Sequence, residues 1–105
     1  MASSDPILTR FRAALAQVYG DRIERVVLYG SRARGDARAD SDYDIAVFLK
    51  DLSSRWHEVR RITDIELALR DLTDADIHAM PFPAGSWRDP SSPLMYEIRK
   101  DGLEL

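Results

Sequence analysis

Apolar residues recur in blocks along the chain, and the spacing changes from block to block. Ile7, Phe11, Leu15 and Val18 repeat at intervals of three and four, which predicts an amphipathic helix. Asp5-Pro6 ahead of it reads as an N-cap followed by proline at the first helical position, and Gly20 reads as its stop. Val26-Val27-Leu28-Tyr29 is a short apolar run bounded by charges and Gly30, which predicts a strand buried on both faces. Residues 31–41 are small, polar and charged, so a loop with at most one helical turn is expected there. Residues 42–49 predict a second strand with Ile45 to Leu49 as its apolar body. Ser53 or Ser54 caps a long helix whose stripe is Trp56, Val59, Ile62, Ile65, Leu69 and Leu72. A third strand is expected over residues 74–80. An irregular stretch with Pro81, Pro83, Gly85 and Pro90 follows, then a last helix over residues 93–100 closed by Gly102.

This order predicts one α/β (α+β) domain over residues 1–105, with a small mixed β-sheet backed by helices. Three strands make a narrow sheet, so completion by a partner is expected. Phe82, Trp87, Leu94, Met95 and Tyr96 fit either a partner surface or a cover over the sheet.

Composition narrows the function. The chain has 105 residues, of which 45% are hydrophobic and 31% charged, and it has no cysteine. Disulfides and cysteine zinc sites are therefore excluded, and a cytoplasmic setting is the expectation. No apolar run approaches the ~20 residues that span a bilayer, and the first residues lack the pattern of a signal peptide. The net charge is −3, so direct nucleic-acid binding is not expected. Five arginines, at 22, 25, 32, 34 and 38, nevertheless fall close together, and a local pocket for a small polyanion is expected from them.

The chemistry concentrates between Gly30 and Asp44. Gly30-Ser31 ends a buried strand, where backbone N–H groups and a residue without a Cβ suit a phosphate. Arg32 and Arg34 add charged donors for phosphate oxygens. Asp42 and Asp44 lie at i and i+2 of a predicted strand, on one side and about 6.5–7 Å apart along the backbone. Like charges so placed repel, and divalent cations remove that cost, with Asp oxygens suiting Mg²⁺. A capped turn at Asp40-Ser41-Asp42 is the structural alternative. A calcium loop beginning at Asp40 fails, because its sixth position is Ile45 rather than glycine.

Gly30-Ser31, ten residues, then Asp42-Tyr43-Asp44 resembles the signature of the nucleotidyltransferase superfamily, whose fold is like the palm of DNA polymerase beta. The fuller string Gly30-Ser31-Arg32-Ala33-Arg34-Gly35-Asp36 with Ser41-Asp42-Tyr43-Asp44 resembles the minimal nucleotidyltransferase (MNT) group. The resemblance covers nearly the whole chain. It implies two Mg²⁺ ions on Asp42 and Asp44, with ATP as donor and its phosphates fixed by Gly30 and Ser31. It also implies a third carboxylate, for which Asp76 fits better than Asp74. Asp76, His78 and Met80 would share one face of the third strand, leaving Ile77 and Ala79 for the core. Asp76 would then be a metal ligand and general base. His78, on the same face, fits a half-exposed sheet histidine, with contact to substrate or help in moving a proton as the alternative, and His57 fits a surface residue. The resemblance further implies an antitoxin that transfers AMP to a tyrosine of a cognate HEPN-domain ribonuclease toxin. The alternatives are a non-catalytic antitoxin that works by binding, or a nucleotidyltransferase for a small aminoglycoside-type acceptor.

Overall fold

The computed structural model describes residues 5–38 and 41–105. The turn and calcium-loop readings at Asp40 lie outside the described residues. Helix α1 runs Pro6–Tyr19, strand β1 Ile23–Tyr29, helix α2 Ser31–Arg34 and strand β2 Tyr43–Leu49. Helix α3 runs Arg55–Thr73, strand β3 Ile77–Pro83, helix α4 Pro93–Asp101 and strand β4 Leu103–Glu104. Short 3₁₀ turns occupy Gly20–Arg22 and Ala84–Arg88.

Local signals start and stop the helices. The Asp5 side chain accepts a hydrogen bond from the Ile7 N–H at 2.9 Å with Pro6 behind it, and the chain leaves α1 through Gly20 at φ 53°. Ser54 accepts from the His57 N–H at 3.3 Å to open α3, and Ser92 accepts from Met95 at 3.2 Å to open α4. Asp74 ends α3 in the left-handed conformation, φ 61°, which identifies it as a helix-ending residue.

The sheet order is β3-β2-β1-β4. β1 lies antiparallel to β2 and β4, while β2 and β3 are parallel and joined by the α3 crossover. One sheet face presents Val26, Leu28, Ile45, Val47, Leu49, Ile77 and Ala79 to Leu8, Phe11, Leu15, Ile62 and Leu69 of α1 and α3. The other face carries Val27, Ala46 and Phe48 against Met95 and Ile98 of α4. Phe82 stacks on Phe48 and Trp87 meets it edge-on, both with ring centroids 5.7 Å apart. Phe82, Trp87 and Met95 thus close the core, whereas Leu94 and Tyr96 are exposed.

Several expectations need correction. α1 buries Leu8 and Tyr19 with Phe11 and Leu15, while Val18 is exposed and Ile7 only half-buried. Trp56 and Leu72 of α3 are each 73% exposed, and Glu58 is buried in their stead. Glu58 accepts from Tyr19 Oη at 3.1 Å, Arg22 Nη2 at 2.9 Å and Arg61 Nη1 at 3.4 Å, so three donors from two directions offset its burial. The third strand begins later and continues through Pro83. Ala79 donates its N–H outward to Glu66 Oε1 at 3.0 Å, and by alternation Pro81 and Pro83 stand where the next outward N–H groups would be. Proline costs that edge nothing and presents no donor at either position.

The fourth strand, β4, was not expected. It pairs Leu103 with Leu28 and Glu104 with Val27, so the chain itself covers the free side of β1. The chain's own last residues thus pair with Val27 and Leu28 on one edge, and the prolines blunt the other. The expected five-arginine pocket also does not form. Strand β1 separates Arg22 from α2 by about 23 Å, at 3.3 Å per residue. Arg22 turns to Glu58, and Arg25 lies 4.3 Å over the Trp87 ring.

Candidate active site

The second sheet face is covered at one end by α4 and the Ala84–Arg88 turn, and its other end is open. Alternation along β2 places Asp44 and, just before the strand, Asp42 on that face with Ala46 and Phe48. Alternation along β3 places His78 and Met80 there with Phe82, and Asp76 immediately precedes the strand. Ile77 and Ala79 are buried on the opposite face, as the spacing predicts.

Gly30 follows β1 and begins α2. Its φ of 76° and ψ of −157° suit glycine, and a Cβ there would lie 2.5 Å from Asp44 Oδ2. The missing side chain therefore lets the Asp44 carboxylate lie against the backbone of the turn. The Gly30 carbonyl accepts from Ala33 and Arg34 N–H at 3.1 Å, closing one helical turn. The first N–H groups of such a turn have no partner within it and point out ahead of Ser31.

The carboxylates and the imidazole converge from two strands. In the parallel register Asp44 stands opposite His78. His78 Nε2 lies 3.4 Å from Asp42 Oδ2 and 4.0 Å from Asp76 Oδ1. One donor atom from each of Asp42, Asp76 and His78 lies within 4.8 Å of the others. Asp44 is adjacent but more recessed. Burial raises its carboxyl above the ordinary range; His78 pulls it back, Asp42 adds to the rise and Arg34 again offsets it. Asp76 is also fixed from behind, since its carbonyl accepts the Tyr43 N–H at 2.9 Å, and Arg70 Nη1 lies 3.7 Å from its carboxylate.

The structure thus brings Asp42, Asp44 and Asp76 to one open end of the sheet, beside Gly30 and Ser31. It adds His78, whose i, i+2 spacing from Asp76 was the only sequence signal of a shared site. Arg34 keeps to that side, with surface contacts to Asp36 at 3.3 Å and Asp101 at 3.9 Å. Arg32 turns away from the carboxylates. Its guanidinium lies 4.0 Å over the Tyr43 ring and its Nε donates to the Ser41 carbonyl at 2.9 Å. Tyr43 in turn donates its hydroxyl to Asp5 Oδ2 at 2.7 Å. The residue between the two aspartates is therefore clamped on the α1 side of the sheet.

A set of carboxylate oxygens with one imidazole, beside a glycine turn, fits a hard or borderline divalent cation. Such a cation would offset the fixed negative charge and let a polyphosphate approach it. No described helix is long and apolar enough to cross a membrane.

The same arrangement of elements recurs in known proteins. A crystal structure of a candidate nucleotidyltransferase from Sulfolobus solfataricus superposes with a TM-score of 0.64 at 19% identity, covering 93% of this chain and 75% of that one. A crystal structure of a toxin–antitoxin with AMP-PNP gives 0.61 at 20% identity, covering 90% of this chain and 68% of that one. A protein of Methanocaldococcus jannaschii named as a candidate protein adenylyltransferase is 35% identical over 46 residues, 44% of this chain and 46% of that relative. The match therefore spans just under half of each. The model of the family described as polymerase beta, nucleotidyltransferase, takes in residues 14–104, from the middle of α1 through β4 and across every carboxylate of the site, and the chain belongs to that family.

Proposed function

We propose that this protein transfers AMP from ATP to a hydroxyl of a partner protein, and that the partner is the HEPN-domain toxin of a toxin–antitoxin pair. The carrying observation is that Asp42 and Asp76 meet around His78, with Asp44 recessed beside them against the Gly30 turn. The adenylyltransferase name of the M. jannaschii relative and the likeness to a toxin–antitoxin with AMP-PNP support the reading.

Asp42, Asp44 and Asp76 would hold Mg²⁺, two ions in the family pattern. When bound, Mg²⁺ supplies charge neutralisation for the triphosphate and for the leaving pyrophosphate. The protein's own part is positional. The Gly30 turn and the Ser31 hydroxyl hold the β- and γ-phosphates, and Arg34 adds positive charge at the mouth of the site. The acceptor, proposed to be a tyrosine, places its oxygen in line with the α-phosphorus. Its O–H proton passes to Asp76, a new O–P bond forms, and the bond from the α-phosphorus to the bridging oxygen breaks to release pyrophosphate.

The test is to mix the protein, a HEPN protein proposed as its partner, Mg²⁺ and α-labelled ATP, and to read the mass of that partner. AMP added to a partner tyrosine, and absent with Asp42→Ala, is the expected result. A partner neutralised without added mass, equally well by Asp44→Asn, would mean that binding alone is the function. Label on an aminoglycoside and never on protein would reassign the acceptor.

A further inference from the structure

His78 has no role in the reaction just described, yet its ring lies among the carboxylates. Its separations from Asp42 and Asp76, 3.4 and 4.0 Å, exceed the ~2.7–3.2 Å of a good N–H···O bond. They resemble the spacing of neighbouring ligands on one ion, since donors held at ~2.1 Å in an octahedron lie about 3 Å apart when adjacent. The backbone places the ring as well as the side chain does. His78 is the β3 residue in register with Asp44, and the alternation that buries Ile77 and Ala79 turns it toward the site. The Arg70 contact to Asp76 is an exposed ion pair of the kind that contributes little, so it does not hold Asp76 out of such a set.

We propose that His78 Nε2 is a metal ligand together with Asp42 and Asp76, and that this nitrogen biases the site toward first-row transition ions over Mg²⁺. The inference rests on the reading of these carboxylates as the metal site of nucleotidyl transfer. Carboxylate and water suit Mg²⁺, whereas imidazole adds affinity that rises from Mn²⁺ to Co²⁺ and Ni²⁺. An all-oxygen set would lack that bias.

The experiment uses tag-free protein, in which His57 and His78 are the only histidines. Pulsed electron paramagnetic resonance of bound Mn²⁺ is expected to show coupling to a ring nitrogen, lost in His78→Gln and kept in His57→Gln. By calorimetry His78→Gln is expected to weaken Co²⁺ binding about tenfold or more while leaving Mg²⁺ nearly unchanged. His78→Asp, which puts an oxygen back, is expected to shift the preference toward Mg²⁺. Circular dichroism confirms that each variant is folded. Bound Mn²⁺ without nitrogen coupling, coupling that survives in His78→Gln, or no metal binding at millimolar ion overturns the inference. AMP transfer measured on the same samples separates the two readings. Transfer without nitrogen coupling sinks the His78 assignment alone, and nitrogen-bound metal without transfer to any partner sinks the proposed reaction alone.

Discussion

Gly30 and Asp44 meet across the β1–β2 pair so closely that the carboxylate of one fills the space where the other would carry a side chain. That contact ties the turn proposed to hold phosphate to the proposed metal ligands. It makes Gly30→Ala a sharp test. Alanine would carry a strained φ of 76° and press on Asp44 Oδ2. A backbone of this type costs about 1–3 kcal/mol for a residue with a Cβ. Gly30→Ala is expected to lower stability by that amount in urea unfolding and to abolish AMP transfer even where the protein stays folded. Full activity in a folded Gly30→Ala protein would show that the turn is not part of the site.

The Asp44 carboxyl is raised, chiefly by burial, so the folded state holds its proton more tightly than the unfolded chain does. The sign follows from linkage. The stability due to this group is fully present below the ordinary Asp value of 3.8, and is lost as pH rises through that value and the raised folded one. At neutral pH, without metal, ionised Asp44 therefore opposes folding. Asp44→Asn is expected to be more stable than wild type at pH 7 in a chelator, with the difference shrinking toward pH 4. The same variant should be inactive. Denaturant melts of both proteins across that range measure it, and a difference that grows on acidification would contradict the burial argument.

Glu58 behaves in the opposite sense. Burial alone would raise its carboxyl, but the hydrogen bonds from Arg22 and Tyr19 and the charges of Arg22 and Arg61 together hold it below the ordinary value. Its contribution is present above 4.5 and lost as pH falls through the depressed folded value. Tyr19, buried and facing this carboxylate, is pushed up to about 12 and stays a donor at neutral pH. Glu58→Gln is expected to cost about 2 kcal/mol, the scale of charge-assisted hydrogen bonds, and to flatten the acid limb of the stability profile. Activity per folded molecule should hardly change, since Glu58 joins α1 to α3 behind the sheet.

Much of the site was legible in the sequence because it rests on short-range rules. Glycine at a strand end, two aspartates at i and i+2, and alternation that turns Asp76 and His78 to one face need only the period of a strand. The rest depends on long-range partners. The exposed Trp56 and buried Glu58 of α3 could not be read from α3 itself, because the donors come from Tyr19 and Arg22. Tyr19 displaces Val18 from the core stripe of α1 for the same reason, as its hydroxyl reaches that carboxylate. β4 has two residues, too few to carry a period, and Pro81 and Pro83 concealed an edge strand whose outward side needs no donors.

The two arginines after Ser31 divide the remaining question. Equal roles at the phosphates were expected from the sequence, but their side chains part. Arg32 is held on the Tyr43 ring and the Ser41 carbonyl, so it braces the loop that delivers Asp42. A stacked, hydrogen-bonded guanidinium is not replaced by an ammonium, because lysine lacks both the plane and the fork. Arg32→Lys is therefore expected to lower the melting temperature and kcat, with KM for ATP little changed. Arg34 is 45% exposed, contacts Asp36 at 3.3 Å and Asp101 at 3.9 Å at the surface, and acts on Asp44 through charge. Arg34→Ala is expected to raise KM for ATP severalfold at unchanged stability, and Arg34→Lys to recover most of it, since a point charge suffices there. Steady-state kinetics with thermal melts on the three variants decides the matter. A large KM effect from Arg32→Lys at wild-type stability would return Arg32 to the phosphates.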